Sequence, residues 1–102
     1  MMAKIISASD QTHFIIIHGT DTMALTASFL EEVLEDKVVV LTGAMVPFAI
    51  DPVEATSNLS MALGYAKAQE SPGVYICMQG SVAKHDKLVK NKKLGKFELV
   101  QG

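Results

Sequence analysis

At 102 residues the chain is long enough for one small domain, and its 49% hydrophobic and 20% charged content excludes a disordered polar segment. A formal net charge of −2 gives no general attraction for nucleic acid, and a lone cysteine, Cys77, cannot form an internal disulfide. No apolar run reaches the ~20 residues of a membrane-spanning helix, and "MMAKIISASDQ" has neither the apolar centre nor the cleavage pattern of a secretory leader. The expectation is a cytoplasmic protein that engages neither membrane nor nucleic acid.

Residues 3 to 10 carry a weak helical signal. "HFIIIHG" (13–19) is a continuous apolar run closed by glycine, as expected of a strand buried on both faces. From Thr22 onward, Met23, Ala24, Ala27, Leu30, Val33 and Leu34 recur at steps of three and four, which predicts an amphipathic helix of about three turns. Glu31, Glu32, Glu35 and Asp36 crowd its far end. "KVVVLTG" (37–43) repeats the buried-strand signature, and "AMVPFAIDP" is a loop with two prolines. A second helix runs to Gln69, with Asp51 as its N-cap and Pro52 in its first turn. "SPG" breaks the chain before a third buried strand, "VYICMQG" (74–80). The tail from Ser81 alternates loosely, as a short hairpin or an irregular arm would, and holds six of the nine lysines.

Strand, helix, strand, helix, strand, with strands apolar on both faces, predicts right-handed crossovers and an open parallel sheet. The fold class is three-layer α/β of the Rossmann or flavodoxin type, in a single domain over residues 1–102.

Ligands in such sheets bind at the carboxyl ends of the strands. All three strands here end in glycine, in "HGTDT", "LTGAM" and "CMQGS". Thr20, Asp21 and Thr22 follow the first of them, at a helix start where unpaired N–H groups and the dipole favour negative charge. On the plainest reading Thr20 or Asp21 is an N-cap that stabilises by about 1 kcal/mol. Against it, three candidate cappers stand where one suffices, which leaves side chains for chemistry or for a ligand.

These residues also carry a family resemblance. "HGTDTM" followed by "TA", "VVLTGAM-P", "NL---L--A", "GVYICMQG" and "VKNKK" occur in the order and at the spacing of the bacterial-type L-asparaginase family. The likeness runs from His13 onward, and the chain is similar to the latter part of that family's amino-terminal domain. The resemblance implies that Thr20, Asp21 and Lys90 form a Thr-Lys-Asp catalytic arrangement. It implies that Gly19, Thr20, Asp21 and the backbone at Ala44 bind the substrate, a small amino-acid amide. No cofactor or metal is implied. The chemistry is reasonable, because a hydroxyl is a poor nucleophile at neutral pH and needs an adjacent base, a role that a neutral lysine can fill. An aspartate alongside can orient the lysine and receive a substrate ammonium.

The sequence also departs from the family. The usual nucleophile is a threonine in a "GGT" motif on a strand well before "HGTDT", and the 17 residues before His18 contain no such motif. In the family that strand lies beside the one matching "HFIIIHG". A shortened product or a fragment is therefore expected, with impaired hydrolysis and with self-association through the uncovered strand. Val46 stands where the family has arginine. Three functions compete: an asparaginase-type amidohydrolase, a non-catalytic module that binds an amino acid or anion, and a remnant that pairs with another chain.

The remaining residues read as structural. His18 is a backbone-bonded histidine, and His13, His18 and His85 lack metal-ligand spacing. Cys77, Met45, Met61 and Met78 fill core. Asn58 is a packing polar group. The lysine run is a solvated arm without the aromatic or arginine residues of a nucleic-acid surface.

Overall fold

The computed structural model describes residues 2–47 and 49–100, so that Phe48 in the two-proline loop and the last two residues of the tail lie outside it. The expected alternation is present: α1 (Met2–Ala8), β1 (His13–Ile17), α2 (Met23–Val33), β2 (Val38–Thr42), α3 (Pro52–Ala68) and β3 (Gly73–Met78). Three further strands follow: β4 (Ser81–Lys84), β5 (Leu88–Asn91) and β6 (Lys96–Leu99).

β1, β2 and β3 pair in parallel, with His13 beside Val38 and Val38 beside Gly73. β4 then returns antiparallel on β3, so the four-stranded sheet is mixed rather than wholly parallel. The reversal is made by two residues, Gln79 and Gly80, both at positive φ (52° and 81°). That is the mirror-image turn whose twist matches a hairpin.

Side chains alternate across the sheet and feed two cores. Val39, Leu41, Val74, Ile76 and Met78 face α2, where Met23, Ala27, Leu30 and Leu34 meet them together with Ile6 of α1. Val38, Val40, Tyr75 and Cys77 face α3, whose Ala62 and Ala66 allow close approach. The three layers are thus as expected. Each fully buried Leu or Ile contributes about 1.5–3 kcal/mol. Val33, read as part of the core stripe, is instead 45% exposed. The stripe runs 23-27-30-34, and Val33 falls outside it.

β2 and β3 are buried throughout, but β1 is not. Its ends, His13 and Ile17, are exposed and its centre is half-buried. The apolar run implied burial on both faces. β1 is instead the sheet's edge, with β2 on one side only, so its flank lacks the neighbour that would close over it.

The tail forms a β5–β6 hairpin beside β4. Leu88 and Phe97, fully and nearly buried, enter the α2-side core with Met23. The hairpin thereby brings Lys90 to the carboxyl edge of the sheet and leaves the β1 edge uncovered. Among the described residues no helix is long and apolar enough to cross a membrane.

Candidate active site

The site begins with a close approach. The His18 N–H donates to the Thr42 carbonyl at 2.8 Å, which carries the β1–β2 pairing one residue past the strand. A Cβ on Gly43 would collide with the His18 carbonyl oxygen, so only glycine lets the two strand ends lie together. No such crowding exists at Gly19, where a Cβ would meet open space.

His18 then fixes the turn. Its Nδ1 lies 2.7 Å from the Gly19 carbonyl, which can only accept, so Nδ1 carries the proton. Nε2 lies 2.8 Å from the Thr26 hydroxyl, which can serve as either donor or acceptor to it. A structural histidine was expected here, and its two bonds clamp residues 18 and 19 to the first turn of α2.

The helix proper starts at Met23 with Thr22 in the N-cap position, and Thr22 makes no side-chain cap bond. Neither Thr20 nor Asp21 caps the helix. Both meet Lys90 instead, whose Nζ donates to Thr20 Oγ1 at 2.8 Å and to Asp21 Oδ1 at 2.7 Å. Lys90 is 18% exposed and Asp21 76%. The Lys90 hydrogen bond and charge, helped by Lys92, hold the Asp21 carboxyl below its usual range.

Two further groups frame this edge. Asn58 on α3 is buried; its Nδ2 donates to the Gly43 carbonyl at 2.8 Å and its Oδ1 accepts from the Gln79 N–H at 2.9 Å. It ties the ends of β2 and β3 together, in keeping with the packing role read from sequence. Glu54 was not singled out from sequence, although Asp51-Pro52-x-Glu54 is a capping-box pattern. Asp51 does accept from the Glu54 N–H at 3.0 Å. The Glu54 carboxylate turns outward and accepts from Met45 N–H at 2.8 Å and Val46 N–H at 3.1 Å, pinning the loop that contains Ala44.

A cavity of about 450 Å³ opens on the α3 side, lined by Ile17, His18, Gly19, Thr42, Gly43, Ala44, Ala55, Thr56 and Leu59. Of the residues named from sequence, Gly19 and Ala44 reach this cavity, while Thr20, Asp21 and Lys90 stand beside it on the hairpin side. Gly19 joins the two. No hydrogen bond links Ala44 to the three polar residues among the described residues. Among the described residues no group of three His, Cys, Asp or Glu side chains could hold a metal ion.

Comparison with known proteins gives this edge a family. Residues 1–97 match the family model described as "Asparaginase, N-terminal". The chain is 41% identical over 83 residues to L-asparaginase 2 of Escherichia coli, covering 78% of this chain and 24% of that protein. It is 35% identical over 83 residues to the L-asparaginase of Thermococcus kodakarensis, covering 79% of this chain and 25% of that protein. It is 39% identical over 84 residues to the human 60 kDa lysophospholipase, covering 79% of this chain and 15% of that protein. The chain thus spans a quarter or less of the length of these relatives. With residues 1–97 of its 102 matched by the family model, the chain belongs to the asparaginase family, in the region of that family's amino-terminal domain.

Proposed function

We propose that the carboxyl edge of this sheet is an asparaginase-type amidohydrolase site, converting L-asparagine and water to L-aspartate and ammonia. The observation that carries this reading is the contact of one ammonium, Lys90, with both Thr20 Oγ1 and Asp21 Oδ1. Lys90 in its neutral form takes the Thr20 hydroxyl proton as Oγ1 adds to the amide carbon. The amide C–N bond breaks, ammonia leaves with that proton, and water hydrolyses the resulting ester to regenerate Thr20. Asp21 holds Lys90 and, being well exposed, receives the substrate α-ammonium. Gly19 and Ala44 offer backbone groups at the adjoining cavity.

The 102-residue chain contains no "GGT" segment, so its own turnover is proposed to be impaired. The alternative is a module that binds an amino acid or anion without turning it over. Ammonia release from L-asparagine, with and without an added amino-terminal "GGT" strand, separates the two.

The same reading takes a second copy of the chain as a partner. β1 presents an edge with Ile17 70% exposed, and no Pro or Lys in His13–Ile17 blunts it. A cytoplasmic setting completes the proposal and suits the unpaired, buried Cys77.

A further inference from the structure

Gln79 has a backbone conformation that its residue type does not favour. Its φ is 52°, in the left-handed region where glycine or asparagine is at ease. Asp36 is the other non-glycine residue at positive φ among the described residues, and aspartate tolerates that region better than glutamine does. A backbone strain at the carboxyl edge of a sheet is a reason to ask what the side chain does there.

The Gln79 side chain is engaged, and so is its backbone. The Gln79 N–H donates to Oδ1 of buried Asn58, whose Nδ2 in turn holds the Gly43 carbonyl. At its other end Oε1 accepts from the Phe97 N–H at 2.7 Å. Phe97 is the residue opposite Lys90 in the β5–β6 ladder. A continuous path therefore runs from the end of β2, through α3 and the β3–β4 turn, into the hairpin that carries the lysine.

We infer that Gln79 is the positioning residue for Lys90: its side-chain carbonyl anchors the hairpin at Phe97 and thereby sets where the Lys90 ammonium meets Thr20 and Asp21. Leu88 and Phe97 bury the hairpin against Met23, but apolar contact is non-directional and fixes depth more than lateral position. Lys90 cannot place itself, since its four-carbon stem is flexible. The Gln79–Phe97 bond is directional and lies one cross-strand pair from Lys90. The need for that reach explains a glutamine in a turn that asparagine fits better. Asparagine is one methylene shorter, so in the same backbone it falls short of Phe97.

The inference rests on the proposed function only for its catalytic consequence, so its test uses a readout that needs no turnover. The full chain is compared with Gln79→Asn, which suits the positive φ but loses the reach. It is also compared with Gln79→Met, which keeps the length but loses the acceptor. The titration of the Asp21 carboxyl is followed by carbon NMR, with Lys90→Met as the reference for a lost contact, and amide exchange is followed at Phe97. In both variants Phe97 exchange is expected to quicken at least ten-fold, and Asp21 is expected to titrate most of the way towards the Lys90→Met value. Faster Phe97 exchange with Asp21 titrating as in the parent chain would overturn the inference, as would no change at either site. If one variant fails to fold, the other carries the same comparison. Absence of ammonia release in every form would sink the amidohydrolase reading and leave this titration intact.

Discussion

Lys90 on β5 donates to Thr20, 70 residues earlier in the chain, at 2.8 Å. Together with the bond to Asp21 this contact explains why the turn after β1 carries more polar side chains than helix capping needs. Asp21 is the one whose ionisation can be followed. Lys90 lowers its folded-state pKa below the ordinary value, so its ionised form stabilises the fold at neutral pH. That contribution is complete above the unfolded-state pKa and is lost as pH falls through the lower folded-state value. Asp21→Asn should therefore unfold more easily than the parent chain at neutral pH, and the gap should close in acid. The gap should be small and shrink with salt, because Asp21 is exposed. Denaturant titrations across the acid range check this; a gap that does not vary with pH would contradict it.

The two glycines of the site should respond differently to alanine. Gly43→Ala drives a Cβ into the His18 backbone carbonyl, which cannot swing away as a side chain could. A cost at or above the upper end of the usual overpacking range, about 3 kcal/mol, is expected. Gly19→Ala meets open space, and its stability should stay within about 0.5 kcal/mol of the parent. Urea midpoints of the two variants settle the contrast.

Asn58→Ala removes the partner of two backbone groups at once, the Gly43 carbonyl and the Gln79 N–H. Each group left unsatisfied costs about 1–3 kcal/mol, so a loss of roughly 2–6 kcal/mol is expected for the two. Amide exchange at Gln79 should quicken with it. A variant as stable as the parent would show that these groups find other partners.

The uncovered edge of β1 should make the 102-residue chain self-associate. A net charge of −2 offers little repulsion to oppose it. Ile17→Lys places a charge on the exposed end of that strand and should shift the equilibrium towards monomer. Sedimentation over a range of concentrations measures it, and a clean monomer of the parent chain at high concentration would refute the idea.

Some of this architecture was legible in the residues themselves. "KVVVLTG" and "VYICMQG" announced β2 and β3 because strands covered on both faces have no polar side to confuse the pattern. Asp51-Pro52 announced the start of α3 for an equally local reason. β1 carries the same apolar signature yet sits at an edge, since the signature records what a strand's faces suit and not which neighbours it has. The β3–β4 turn was missed because Gln-Gly is not a strong hairpin signal; the conformation comes from the bonds that Gln79 makes to Asn58 and Phe97. Likewise nothing local marks Leu88 and Phe97 as core in a lysine-rich tail. Thr20 and Asp21 stood out as surplus cappers. Lys90 did not stand out among its neighbouring lysines, and only the family resemblance selected it, because its partners lie about 70 residues away.

The central claim is that Thr20, Lys90 and Asp21 act on an amide as one unit. The most direct measurement is ammonia release from L-asparagine by the 102-residue chain and by the same chain joined to an amino-terminal strand carrying the "GGT" segment. Each form is assayed with and without Lys90→Met. The chain alone is expected to fall roughly 10⁴- to 10⁶-fold below an ordinary enzyme, the usual loss when one member of a catalytic unit is missing, because Thr20 acts without the "GGT" threonine of the family. The joined form is expected to release ammonia, and to lose at least about 100-fold of that rate on Lys90→Met, the low end for a general base. A joined form that turns over equally well without Lys90 would contradict the account, and so would enzyme-like turnover by the 102-residue chain alone, which, if lost on Thr20→Ala, would show that Thr20 serves without the "GGT" threonine.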